Sequence, residues 1–307
     1  MSPLRAALAD YLAVRRALGY KLERAEKLLD QFIAYLEQRG APTITVEHAL
    51  AWAMLPGGGD AWLALRMSVV RGFANHLQTI DPACEVPAGE LLPDRPHRAT
   101  PYLYSTEQVA ALIEAAGTLR DAHRAATYRT LVGLLAVTGM RVGEATGLDR
   151  DDVDSQAGSI LVRDAKFGKS RELALHRSTV EALRRYLRRG DRPGSAPSTN
   201  AVFVSTRGTR LVYRSVSDTF AGLLGRAGIA PRSASCRPRL HDLRHTFAVR
   251  TILDGYRDGG EVEGRLAALS TYLGHADPAN TYWYLSAAPE LMGLAAERLE
   301  RHIGGRS

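Results

Sequence analysis

The feature that most restricts this chain is a run of five prolines, Pro82, Pro87, Pro93, Pro96 and Pro101. Each removes a backbone donor, fixes its own φ and pushes the preceding residue toward extended geometry, so no helix or strand of ordinary length passes through them. The 307 residues are thereby cut into two parts, each of which must close its own core. Ahead of the prolines, apolar residues recur at helical spacing: Leu4, Ala7, Leu8, Tyr11 and Leu12, then Leu28, Leu29, Phe32, Ile33 and Leu36. A third helix is expected over Val46–Met54 behind Thr43 and Thr45, and a fourth over Ala61–Leu77 with Asp60 as its N-cap. Residues 1–80 then form a small helical unit, residues 81–103 an extended linker and residues 104–307 a second, larger unit.

The second unit reads as mostly helical with one small hairpin. A helix begins at Ser105 or Thr106, where Ser105 and Gln108 have capping-box spacing. Another covers Tyr128–Thr138 and stops at Gly139, and a further one begins near Gly143. Two short strands, 159–163 and 171–175, flank residues 164–170. Helices are expected over Thr179–Arg189, Ser215–Arg226, His241–Leu253, Leu266–Leu273 and Pro289–Ile303. Between them lie a short extended piece at Val202–Val204 and a long connector, Gly255–Ala268, containing Gly259 and Gly260. The final helix aligns Leu291, Leu294, Ala295 and Leu299 on one face, suited to packing on its own domain or on a neighbouring subunit.

Charge narrows the partner. Forty Lys+Arg against 33 Asp+Glu give +7; residues 1–100 hold 11 basic and 11 acidic side chains, which leaves 29 against 22 in residues 101–307. A neutral half and a basic half fit an anionic partner handled by the second unit. Only four of the basic residues are lysines, Lys21, Lys27, Lys166 and Lys169, and two of these lie between the paired strands. Cys84 and Cys236 stand far apart with no CxxC spacing, so neither a disulfide framework nor a zinc site is expected, and a reducing cytoplasm fits. The charged start of the chain argues against a signal peptide. The longest apolar stretch, Leu131–Met140, is far short of the roughly 20 residues of a membrane span.

Three short stretches carry the chemistry. Arg141 follows the helix-ending Gly139, at a break where its side chain can face a ligand, and Glu144 is spaced to hold its guanidinium. His241 and Arg244 share one face in the first turns of a helix that starts after Pro238, an arrangement suited to phosphate oxygens. His275 follows Leu273-Gly274, and an aromatic cluster, Tyr282-Trp283-Tyr284, comes seven to nine residues later.

In that order, an Arg, a hairpin Lys, His-x-x-Arg, Gly-His and a Tyr, the chain resembles the tyrosine recombinase (phage integrase) family over residues 105–300. The resemblance implies that Arg141 is the first catalytic arginine, that His241 and Arg244 are the His-x-x-Arg pair and that His275 is the later histidine. It implies Tyr284 as nucleophile, nine residues after His275 with Thr281 three before it; Tyr282 has the wrong spacing. It implies a hairpin lysine as general acid; aligning the strand that begins at Arg171 favours Lys166, with Lys169 as the alternative. The family fold is a helical core-binding domain that clamps duplex DNA, followed by a mainly α catalytic domain with a small sheet.

The expected activity is therefore site-specific cleavage and rejoining of double-stranded DNA through a 3′-phosphotyrosine intermediate, in the integration, excision or transposition of a mobile element. A homotetramer on paired DNA sites, a nucleoid-associated cytoplasmic location and no cofactor go with it. The rival readings are a type IB topoisomerase-like relaxation activity and a catalytically silent DNA-binding regulator. Arg184, Arg185, Arg188, Arg189, Arg207, Arg210 and Arg214 are candidates for contacts to the phosphate backbone.

Overall fold

The computed structural model describes residues 2–55, 57–92, 100–163, 170–193, 199–258, 262–275, 281 and 293. The chain divides into two compact units, 1–99 and 100–307.

The first unit contains α1 (Pro3–Ala17), α2 (Glu23–Gln38), α3 (Val46–Met54) and α4 (Asp60–Leu77). Ser2 caps α1 ahead of Pro3, whose missing N–H costs nothing at that position, and the Thr45 hydroxyl caps α3 by accepting from the His48 N–H at 3.2 Å. The N-cap of α4 is Gly59, and Asp60, expected there, is instead its first helical residue, where a carboxylate still suits the helix dipole. The inward stripes meet in one core that includes Leu29, Phe32, Ile33, Leu36, Val70 and Phe73, all fully buried. Arg66 is buried with them; its guanidinium lies 3.5 Å over the Trp52 ring and donates to the Trp52 carbonyl at 2.6 Å.

The proline-rich stretch does not start as a free linker. Thr43 donates to Asp81 at 2.6 Å, the Glu85 N–H donates to the Ile44 carbonyl at 2.9 Å, Arg71 donates to the carbonyls of Pro87 and Ala88, and Cys84 is buried in the first core. Proline forbids regular ladders but leaves carbonyls to be bonded, and Arg71 uses two of them.

The second unit contains α5 (Thr106–Gly117), α6 (Ala122–Thr138), α7 (Val142–Gly147), a 3-10 turn (Arg150–Asp152), strands β1 (Val153–Asp154), β2 (Ser159–Val162) and β3 (Arg171–Ala174), then α8 (Arg177–Leu187), α9 (Tyr213–Arg226), α10 (Asp242–Arg257) and α11 (Val262–Leu273). The sheet is antiparallel in the order β1-β2-β3, with Ile160 opposite Leu173 and Val162 opposite Arg171. The expected hairpin is thus β2 and β3, with β1 added on the far side of β2. Val202–Val204 makes no ladder; Ala201 and Val204 form single bridges with Asp149 and Arg210. Helix α6 starts six residues earlier than its apolar run, where Asp121 caps it through the Arg124 N–H at 2.7 Å. The connector expected over Gly255–Ala268 is mostly helix, the end of α10 and the start of α11, because Ile252, Leu253, Leu266 and Leu269 pack together with Leu273. The helix expected over Pro289–Ile303 lies outside the described residues. Among those residues, no helix is long and apolar enough to cross a membrane.

Candidate active site

The end of α6 sets the first arginine. Gly139 adopts φ +59°, its N–H donates to the Leu135 carbonyl at 3.0 Å, and a Cβ there would overlap the Phe247 ring, so the turn needs glycine. The chain leaves this turn extended at Arg141 and enters α7. Glu144, in the first turn of α7, accepts the Arg141 backbone N–H and its Nη1, both at 2.8 Å. The same carboxylate accepts Nη1 and Nη2 of Arg171, the first residue of β3, at 3.1 and 2.8 Å. The Glu144 side chain is only 9% exposed. Its burial would raise its pKa, but the bonds from Arg171 and Arg141 outweigh that and hold the carboxyl below its ordinary range.

Helix α10 supplies the second arginine. Asp242, completely buried, accepts the Arg239 N–H and guanidinium at 2.9 to 3.1 Å and so fixes the start of the helix. His241 stands just before the first turn, with its ring edge-on to His245 at 4.7 Å. Arg244 is buried and donates Nη1 to the Gly139 carbonyl at 2.9 Å and Nη2 to the Leu273 carbonyl at 2.7 Å.

Helix α11 is where these pieces meet. Its last carbonyls lack helical partners, as at any helix C-terminus, and three arginines take their place. The Tyr272 carbonyl accepts Arg171 Nε at 2.7 Å, that of Leu273 accepts Arg244, and that of Gly274 accepts Arg141 Nη2 at 3.1 Å. Gly274, at φ +67°, turns the chain, and His275 follows with its Nδ1 2.7 Å from the hydroxyl of the buried Thr281. Desolvation, and then the charges of Arg244, Arg141 and Arg239, push His241 down to about 4. Desolvation and the charges of Arg244, Arg141 and Arg171 do the same to His275, also to about 4. His241 is exposed, so the arginine charges are the firmer cause there; for both rings the shift favours the neutral form at pH 7.

Arg141 and Arg244 thus meet at the end of α11, where His275 follows in the chain, and His241, at the start of α10, lies within reach of their charges. Lys166, Lys169, Tyr282 and Tyr284 lie outside the described residues. Two further participants carried no site signal of their own in the sequence. Arg171 read only as a strand residue, and Thr281 only as a spacing marker. Of the backbone candidates, Arg210 is tied to the Thr146 and Leu148 carbonyls and to Asp149, Arg189 to Asp191 and Arg214 to Asp218. Arg185, Arg188 and Arg207 are exposed, and Arg184 is half-buried. A groove of about 490 Å³ runs between α6 and α8, past Ile113, Arg129, Val137, Arg185 and Tyr186, and contains none of the gathered residues.

Residues 103–290 match the model of the phage integrase family. An integrase/recombinase of Sinorhizobium fredii is 43% identical over 315 residues, with 100% of each chain covered. The tyrosine recombinase XerD of Mycobacterium tuberculosis is 32% identical over 299 residues, 90% of each chain. Among solved structures, XerA recombinase is similar over 97% of both chains, with a TM-score of 0.52 and 26% identity. The Tn1549 transposon integrase in complex with transposon right end DNA covers 95% of this chain and 99% of its own, with a TM-score of 0.62; at 18% identity that likeness is one of fold alone.

Proposed function

The chain belongs to the phage integrase family of tyrosine recombinases, and on that premise we propose that it is a site-specific DNA recombinase that cleaves and rejoins duplex DNA through a 3′-phosphotyrosine link to Tyr284. The observation that carries this reading is the convergence of Arg141 and Arg244 on the C-terminal turn of α11, beside His275 and with their charges also reaching His241. A phosphodiester needs its non-bridging oxygens matched by fixed donors as charge builds up in the transition state, and rigidly held guanidiniums supply that. The Tyr284 oxygen bonds to phosphorus, its proton passes to His241 or His275, and the bond to the 5′-oxygen breaks. A phenol of pKa near 10 costs about 4 kcal/mol to ionise at pH 7, a cost that adjacent arginine charge and a neutral imidazole reduce.

An alkoxide leaves poorly, so the 5′-oxygen takes a proton, in this reading from Lys166. The phosphotyrosine ester retains the energy of the broken bond, and attack by another 5′-hydroxyl reseals DNA without ATP. The same reading makes the first unit a second DNA-contacting domain, the working form a homotetramer on two sites and the biological setting a mobile element in the nucleoid. The sequence similarity to an integrase/recombinase along the full chain supports it.

The test starts by selecting bound duplexes from a random pool, then builds a nicked suicide substrate on the selected site. The native chain should form a covalent adduct that Tyr284→Phe abolishes. Binding with no adduct indicates a silent regulator. Plasmid relaxation without exchange between two sites indicates a topoisomerase.

A further inference from the structure

Two groups hold the Arg141 guanidinium, and the residues that supply them share one further neighbour. Arg141 donates Nη1 to the Glu144 carboxylate at 2.8 Å and Nη2 to the Gly274 carbonyl at 3.1 Å. Arg171, the first residue of β3, donates Nη1 and Nη2 to the same carboxylate at 3.1 and 2.8 Å and Nε to the Tyr272 carbonyl at 2.7 Å. A Cβ on Gly274 would stand 3.0 Å from Arg171 Nη1 and 3.2 Å from its Cζ, so this guanidinium also packs against Gly274. Arg171 is 12% exposed and each of its nitrogens is bonded to protein, whereas Arg141 is 30% exposed and keeps further N–H groups. Burial would raise the Glu144 pKa, and the bond from Arg171 is the strongest of those that draw it down, ahead of the bonds from Arg141. An arginine fixed at three nitrogens has lost most of its rotamer freedom. An ion pair serving stability alone is matched as well by packed apolar groups; here the carboxylate is shared with the arginine proposed to meet phosphate.

We propose that Arg171 is a positioning residue for Arg141: by bracing Glu144 against the Gly274 turn, it sets the direction in which Arg141 presents its remaining N–H donors to a non-bridging oxygen of the scissile phosphate. The inference rests on the reading above, in which Arg141 is one of the arginines that meet that phosphate. In the step concerned, the tyrosine oxygen bonds to phosphorus, the bond to O5′ breaks, and charge builds up on the non-bridging oxygens. Arg171 gives up no proton and touches no reacting atom. A residue that acts only through Arg141 has nothing left to do once that side chain is gone, so its effect vanishes in an Arg141→Ala background. A residue that serves the fold, or that serves Arg244 and His275 through the end of α11, keeps its effect there.

The experiment measures single-turnover adduct formation by the full chain on the nicked suicide substrate, together with DNA binding, for Arg171→Ala, Arg141→Ala and the double variant. Arg171→Ala should slow the reaction by about 100-fold, the scale of a donor displaced by about 1 Å, with Kd for DNA unchanged. Arg141→Ala should slow it by about 100- to 1000-fold, as for loss of one donor to the developing charge. The double variant should be slower than Arg141→Ala by less than about 3-fold, where independent effects would multiply. Arg171→Lys keeps a cation beside Glu144 but not the planar fork; about 10-fold slowing alone, and none in the Arg141→Ala background, keeps the test open if the alanine variant fails to fold. A double variant slowed by the product of the two single effects, or an Arg171→Ala chain as fast as the native one, overturns the inference. Failure of the native chain to form any adduct, an adduct that survives Tyr284→Phe, or an Arg141→Ala chain at the native rate overturns the underlying reading instead.

Discussion

Replacing Glu144 by Gln keeps the shape of the side chain and removes its charge. Its two oxygens accept four bonds, from the Arg141 backbone N–H, Arg141 Nη1 and both Nη atoms of Arg171. An amide offers one oxygen and turns an NH2 group toward donors, so about half of these contacts become repulsive. Removing one partner of a buried pair costs about 3–5 kcal/mol, because the other charge stays behind uncompensated. Glu144 and Arg171 are nearly buried, at 9% and 12%, whereas Arg141 is 30% exposed and can turn toward water, which places the expected loss near the low end, about 3 kcal/mol. For a unit of this size that is a fall in Tm of about 6–12 °C, readable by calorimetry at pH 7.5.

The pH dependence has a definite sign. The folded-state pKa of Glu144 is held below its ordinary 4.5, so its contribution is present above that value and is lost as pH falls through the folded pKa. The difference between the native chain and Glu144→Gln should therefore narrow below about pH 4.5. A loss under about 1 kcal/mol at pH 7.5, or a gap that stays constant from pH 5.5 to 3.5, would show that this carboxylate does not hold the two arginines as charged partners.

Other outcomes follow from the same geometry. Thr281→Val removes the hydroxyl 2.7 Å from His275 Nδ1, and adduct formation should fall about 10-fold, the worth of one hydrogen bond; an unchanged rate would refute the contact's role. His275 titrates lower in the folded chain, at about 4 instead of 6.5, so stability present above pH 6.5 declines as pH falls toward 4. Thermal melts of His275→Gln should accordingly lose less between pH 7 and 5 than those of the native chain, and parallel slopes would refute the shift. Gly139→Ala places a Cβ at φ +59° against the Phe247 ring and should lower the urea midpoint by the equivalent of about 2 kcal/mol; an unmoved midpoint would mean the turn relaxes freely.

Where the sequence was readable, a local marker stood beside each residue. Gly139 stops a helix before Arg141, Pro238 precedes the start that carries His241 and Arg244, and Gly274 precedes His275. Where it was not, the deciding contact was distant. Arg171 bonds a carbonyl 101 residues away and a carboxylate 27 residues away, and a four-residue strand pattern reports a face but not a partner. Arg210 looks like a surface cation in sequence, yet three groups 61 to 64 residues earlier hold it. The first turns of α6 escaped detection because its buried face there uses the small Ala125 with His123 and Thr127, which bond to each other, Thr127 also being bonded to Tyr186, instead of large apolar side chains.

The end of α11 explains why residues so far apart in sequence reach one place. A helix C-terminus presents unpaired carbonyls and a partial negative charge, each favourable cation there being worth about 0.3–1 kcal/mol. Three successive carbonyls, of Tyr272, Leu273 and Gly274, receive Arg171 from the sheet, Arg244 from α10 and Arg141 from the turn after α6. The guanidiniums are thus oriented in advance of the phosphate they are proposed to meet, and their mutual repulsion is reduced by the helix end and by Glu144. The same three charges act on His275 one residue further on and, with its burial, help keep it neutral, so in the proposed reaction the arginines and the imidazole are prepared by a single arrangement. A slip of α11 by one residue would detach all three arginines together, which is why the apolar contacts of Leu266, Leu269 and Leu273 with α10 belong to the chemistry as much as to the core.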